Sequence, residues 1–378
     1  MFMNRGAPSR SYPYILLPCL ILFWLLAACS SPGHAPGPKD AAPPKGAVFP
    51  QSETPLRSGG RKVETLSPGE KEKAGPAASA SRSRPPAGQV DLSWRPLLNR
   101  LRADNMSDPI YANYFNNLAA FSADPMGRKI KELFVSAFQR EPRPASEEPA
   151  LPAKARIYPK VVTAAAMEKC RSYLTEYEAY FAAAEKKYAV PREILVALLY
   201  VETRLGDYLG PANAFWSLAC LAASTTPEQV APGISSLPLT PAHQGWLRAK
   251  LTEKSAWAYR ELKALLVYCR YNNLDPSLLP GSVYGAIGLC QFMPSNIIPH
   301  GQDGDGDGRV DLFSAPDAVF SVARFLADHG WEQGLSADQQ RAVLRRYNNL
   351  MRYANTILTL AESARTGVLQ TAPPDISP

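Results

Sequence analysis

From Asp91 onward, large apolar residues return every three or four positions, and no series of alternating apolar and polar residues competes with them. Trp94, Leu97, Leu98 and Leu101 share one helical face, as do Ile130, Leu133, Phe134 and Phe138. A proline-rich break from Pro142 to Pro152 follows. Val161 to Leu205 is then almost continuous helical signal, interrupted at Val190-Pro191, where proline suits a helix start. A loop rich in Pro and Ser is expected from Ser224 to Pro241, and helix resumes through Trp257–Tyr271. After Gly281 come a glycine-rich segment, an acidic loop and two closing helices, near Asp317–His329 and Ala337–Ser363. The expected class is all-α, with a small helical subdomain at 91–155, a main domain at 156–365 and a flexible tail at 366–378.

The first 90 residues are of another kind. Arg5 and Arg10 precede an apolar run from Tyr14 to Leu26, and Ala27-Ala28 precede Cys29, which are the three parts of a secretory signal. The run contains Pro18 and is too short for a retained membrane helix. Leu26-Ala27-Ala28-Cys29 resembles the lipobox of bacterial lipoproteins. That resemblance implies a signal peptide at 1–28, lipid on Cys29 and, with Ser30 next, sorting to the periplasmic face of the outer membrane. Residues 31–90 hold much of the chain's 36 prolines and hardly any large apolar side chain, so they cannot bury enough surface to order themselves. With Cys29 they read as a disordered tether, 29–90. The net charge of +7 divides as +2 on residues 1–30, +4 on 31–90 and +1 on the rest. A nearly neutral folded part carries no nucleic-acid footprint. Cys170, Cys220, Cys269 and Cys290 can form a disulfide in an oxidising compartment, but their spacing selects no pairing.

Two segments carry chemistry. Leu195, Leu198 and Leu199 lie seven, four and three residues before Glu202, so its carboxylate emerges on an apolar helix face. Burial there raises its pKa, as a proton donor to a glycosidic oxygen requires. Asp207 is the only other acid close by in sequence, and nothing sets it opposite Glu202. Downstream, Gly281-Ser282-Val283-Tyr284-Gly285-Ala286-Ile287-Gly288-Leu289-Cys290-Gln291-Phe292-Met293-Pro294-Ser295 combines glycines for close backbone approach with the amide of Gln291 and the apolar surfaces of Phe292 and Met293.

Together, Val201-Glu202-Thr203-Arg204-Leu205-Gly206 and Gly285–Ser295 resemble the membrane-bound lytic murein transglycosylase B family. Asp317–Ala323 leading to His329-Gly330-Trp331, and Tyr347-Asn348 followed by Tyr353, agree in the family's order, so the resemblance covers about 159–361. It implies a lysozyme-like core that cuts the MurNAc–GlcNAc β-1,4 bond of peptidoglycan and leaves 1,6-anhydro-MurNAc ends. It further implies Glu202 as the lone acid and base, and Ser282 and Gln291 as polar groups in the cleft. Phe292 and Met293 become its sugar-packing wall, Tyr347 and Asn348 the closing pair, and Tyr353 an aromatic beside the scissile sugar. Leu205 and Phe325 depart from the aromatic and the Tyr frequent in the family. The competing readings are a lysozyme-type hydrolase of the same fold and a non-catalytic peptidoglycan-binding lipoprotein.

Asp303-Gly304-Asp305-Gly306-Asp307-Gly308-Arg309 opens like an EF-hand calcium loop, with carboxylates at positions 1, 3 and 5, a turn at Gly308 and the Arg309 carbonyl at 7. Ser314 stands where the closing Glu belongs, so Asp317 is the expected last ligand, as the resemblance also implies. The expected ion is a structural Ca²⁺.

Overall fold

A computed structural model describes residues 92–116, 118–139 and 156–374. The signal, the lipobox with Cys29, the tether and the last four residues lie outside the described residues.

The core is built around one helix, α6 (Arg192–Thr203), nine of whose twelve residues are buried, Glu202 among them. A helix apolar on every side needs neighbours on every side. They are α4 (Ala164–Glu176), α5 (Glu178–Tyr188), α11 (Ala315–Asp328) and α13 (Met351–Thr366). The expected run from Val161 to Leu205 is thus three helices, with one extra break at Tyr177. Thr163 starts α4 by accepting the Ala166 N–H, and left-handed Ala189 ends α5.

A second group forms on α7 (Ala214–Ala223) and the 29-residue α9 (Gln244–Asn272), which runs well ahead of the expected start at Trp257. The segment expected to be a Pro/Ser loop contains α8 (Pro227–Ile234). Thr226 and Gln229 form a reciprocal capping box there with Pro227 in the first turn, so local end signals outweigh the internal Pro232.

The residues before the break are α1 (Arg95–Ala103), α2 (Pro109–Tyr114) and α3 (Asp124–Phe134), the last continuing into a π-helical turn at Val135–Gln139 that leaves Phe138 exposed. They have no core of their own. Trp94, Phe115 and Met126 belong to the same buried cluster as α6 and α7. The Phe115 and Phe215 rings meet edge to face at 4.9 Å. The indoles of Trp94 and Trp216 donate to the Ala119 and Ala120 carbonyls. All described residues fall in one compact unit.

Among the described residues, strand is confined to β1 (Ala212–Asn213) antiparallel to β2 (Pro280–Gly281), with Ala212 opposite Gly281. The last expected helix is two, α12 (Ala337–Tyr347) and α13, parted by extended backbone at Asn348. Among the described residues no helix is long and apolar enough to cross a membrane, and Cys170, Cys220, Cys269 and Cys290 are all free and buried.

Candidate active site

Glu202 sits in the last turn of α6, and the chain stops the helix directly behind it. Arg204, Leu205 and Gly206 all take positive φ, a conformation that costs non-glycine residues energy and halts a helix at once. Three ties hold that turn. The Lys169 ammonium donates to the Arg204 carbonyl at 2.7 Å and pairs with Asp207 at 2.6 Å. The Thr203 hydroxyl donates to Leu289 O at 2.9 Å, linking the helix end to the glycine-rich segment. Gly206 N–H donates to the Thr203 hydroxyl. Asp207 is thereby engaged at the exposed surface and is no partner for Glu202.

The carboxylate is 7% exposed. Burial pushes its pKa up to about 7, and a hydrogen bond from the Tyr353 hydroxyl at 2.6 Å opposes the rise without cancelling it. Its place at the negative end of α6 acts in the same direction as burial. Tyr347 lies parallel to Tyr353, centroids 6.4 Å apart, and its hydroxyl donates to Cys290 O. The break between α12 and α13 is what turns Tyr347 toward this site. Tyr158, which the sequence did not mark, has its phenol pKa raised chiefly by burial, with Arg352 opposing the rise and the charge of Glu202 adding to it.

The glycine-rich segment forms a compact platform. Gly281 bridges Ile287, and Ile287 bridges Phe292. Gly288, at φ 75°, is required because a Cβ there would come within 2.5 Å of Leu312, where the Leu289 N–H donates to the Leu312 carbonyl. Gln291 is itself left-handed, at φ 50°. Its amide NH₂ donates to Leu209 O and Gly288 O, while its Oε1 is buried with no partner. Asn348 Oδ1 is likewise buried and unpartnered. Buried acceptors left unmet are costly and suit a donor on a bound molecule.

Two expected cleft residues turn out otherwise. Phe292 is 1% exposed and packs against His300, Phe325 and Tyr347, so it is the floor beneath the site and offers no face to a sugar. Met293 beside it is half-buried. The Ser282 hydroxyl accepts the N–H groups of Tyr284 and Ala286, which makes it a brace of its own turn. Phe325, lacking a hydroxyl, fills the space between His329 and Tyr347.

In the acidic loop, oxygens of Asp303, Asp305 and Asp317 lie within 4.8 Å of one another. Asp317 is 1% exposed and accepts the N–H groups of Gly304 and Asp311. Asp303 accepts from Gly306 and Gly308. Asp307 stands outside the group, accepting the Arg309 N–H. Three hard oxygen donors converging on one point fit a divalent cation.

Fold and site together define a helical bundle whose candidate site holds one buried acid, Glu202. The chain belongs to the transglycosylase SLT domain family, whose model matches residues 100–368. It is 30% identical over 162 residues to the membrane-bound lytic murein transglycosylase B of Escherichia coli (strain K12), a match covering 43% of this chain and 38% of that protein. The matched stretch is thus well under half of that relative's length. Among solved structures, the E. coli lytic transglycosylase Slt35 is similar at 20% identity in complex with bulgecin A (TM-score 0.54, 74% of this chain and 94% of that one). The same protein in complex with calcium is similar at 19% identity (TM-score 0.53, the same coverage). SltB3 of Pseudomonas aeruginosa in complex with NAG-anhNAM-pentapeptide is similar at 18% (TM-score 0.53, 75% and 83%). Likeness at these identities speaks to the fold.

Proposed function

We propose that this chain is a lytic transglycosylase acting on peptidoglycan, and that Glu202 is its only catalytic carboxylate. The observation that carries the reading is a buried acid, hydrogen-bonded to Tyr353 and with its pKa raised to about 7, on which no carboxylate acts among the described residues. A glycosidase of the two-carboxylate kind needs a second acid across the sugar ring. One acid suffices when the substrate brings its own nucleophile. Protonated Glu202 gives its proton to the oxygen of the MurNAc–GlcNAc bond, the C1–O4 bond breaks, and the N-acetyl carbonyl stabilises the cationic C1. The carboxylate then takes the proton of the C6 hydroxyl as O6 bonds to C1, closing a 1,6-anhydro ring. The intramolecular hydroxyl prevails over water through effective molarity.

Tyr353 orients Glu202, and Tyr347 with Asn348 closes one side. Gln291 Oε1 and Asn348 Oδ1 accept hydroxyl or amide protons of the glycan, with Met293 against a sugar face. The NAG-anhNAM-pentapeptide held by SltB3 is consistent with such a product. Asp303, Asp305 and Asp317 would hold a Ca²⁺, with Asp307 and the Arg309 carbonyl, outside that group here, as the remaining ligands; the ion would neutralise their charge and stiffen the approach to α11. Cys29 carries the lipid that keeps the enzyme at the outer membrane, facing the periplasm.

The test is product analysis of purified murein digested by the protein. Anhydro-muropeptides, lighter by one water than reducing-end products, are expected. Reducing ends would make it a hydrolase, and no cleavage would leave a binding protein.

A further inference from the structure

The platform Gly281–Ser295 carries Gln291 and Met293, and its middle is tied to α6 by the hydrogen bond from the Thr203 hydroxyl to Leu289 O. Two carboxylates from helices outside every motif, half-buried Glu132 and buried Glu261, hold its ends. At the near end, Tyr284 is 5% exposed and its hydroxyl donates to Glu132 Oε1 on α3 at 2.8 Å. The Lys129 ammonium lies 4.7 Å above the same ring. At the far end, both oxygens of Glu261 on α9 are taken by Ser295: Oε2 by its N–H and Oε1 by its hydroxyl, each at 2.9 Å. Glu261 is 6% exposed. Burying a carboxylate is expensive unless strong hydrogen bonds offset the lost hydration. Glu132 keeps its other oxygen buried with no hydrogen-bond partner, and the nearby charges of Lys129 and Arg128 favour its ionised form against the cost of burial.

We propose that Glu132 and Glu261 are positioning residues that clamp the platform at its two ends, acting through Tyr284 and Ser295 to set glycan affinity. The inference rests on the functional reading above. It also gives α3, which bears no recognisable motif, a part in the site.

In the full-length protein, Glu132→Leu and Glu261→Leu each raise KM for soluble glycan strands about tenfold, the loss of roughly one charge-assisted hydrogen bond, with kcat within about twofold. Glu132→Gln still accepts from Tyr284, and Glu261→Gln accepts the Ser295 N–H while its NH₂ donates to the Ser295 hydroxyl, so both restore KM to within about threefold. Tyr284→Phe removes the bond to Glu132 and Ser295→Ala the hydroxyl bond to Glu261, leaving the Ser295 N–H bond; both avoid a core change and serve if a leucine variant fails to fold. Glycan affinity in a Glu202→Gln background reads positioning without turnover, so failure of the catalytic assignment and failure of the clamp are separate results. A lowered Tm with unchanged KM and affinity would overturn the clamp, as would glutamine variants as impaired as the leucine ones.

Discussion

Two regions of this molecule hold carboxylates in opposite ways. Glu202 is a single acid sunk in aromatic and aliphatic surroundings, meeting one hydroxyl, and its proton becomes hard to remove. The 303–317 loop gathers Asp303, Asp305 and Asp317 on a largely exposed turn, each receiving backbone N–H groups. Isolation without solvent favours a bound proton, whereas crowding of carboxylates favours a bound cation. The contrast teaches that a carboxylate's job follows from its neighbours rather than its residue type, and that the two regions act independently.

The largest expected effect is at Glu202. Glu202→Gln should lower kcat on murein at least about 10³-fold, since amide cannot donate and recover the proton, and glycan binding should persist. Comparable rates for the two proteins would end the assignment. Tyr353→Phe comes next. Losing the hydrogen bond that favours ionisation raises the Glu202 pKa further, so the alkaline limb of the rate profile, expected near pH 7 in the parent, should move upward while kcat drops roughly tenfold. A limb moving downward would show that the hydroxyl does not touch the acid.

Stability gives the third. The folded pKa of about 7 exceeds the ordinary 4.5, so the folded state binds the proton more tightly. The stability this contributes is complete below about pH 4.5 and is lost as pH rises through about 7, a change on the order of 3 kcal/mol. Denaturant titrations should show that decline in the parent and a flatter profile in Glu202→Gln. Smallest is the loop. Calcium should raise Tm by several degrees, Asp317→Asn should abolish the shift, and Asp307→Asn should only reduce it. Chelation that displaced the alkaline limb of activity would break the independence of the two regions.

Much of the site was legible because it depends on local spacing. Leu195, Leu198 and Leu199 mark the face from which Glu202 emerges, and the aspartate spacing marks the loop. What escaped depends on pairs distant in sequence. Tyr284 meets Glu132 152 positions away, and Ser295 meets Glu261 34 away. Aromaticity also misled: the ring of Phe292 reads as a sugar-binding surface but turns inward, because Ile287 and Phe292 bridge across the platform and direct it to the core. The helix α8 hid behind its prolines, although the Thr226–Gln229 box announces its start. The break at Asn348 left no proline or glycine to signal it.

The shared interior of α1–α3 and the motif-bearing helices has a practical corollary for anyone trimming the chain. A fragment begun at the first family motif would strip Phe115 and Trp94 from the hollow they fill beside Phe215, leaving a greasy wound where α7 now lies covered. Such a piece would clump in solution. The shortest well-behaved catalytic fragment has to begin ahead of Trp94, more than a hundred residues upstream of the acid it exists to hold.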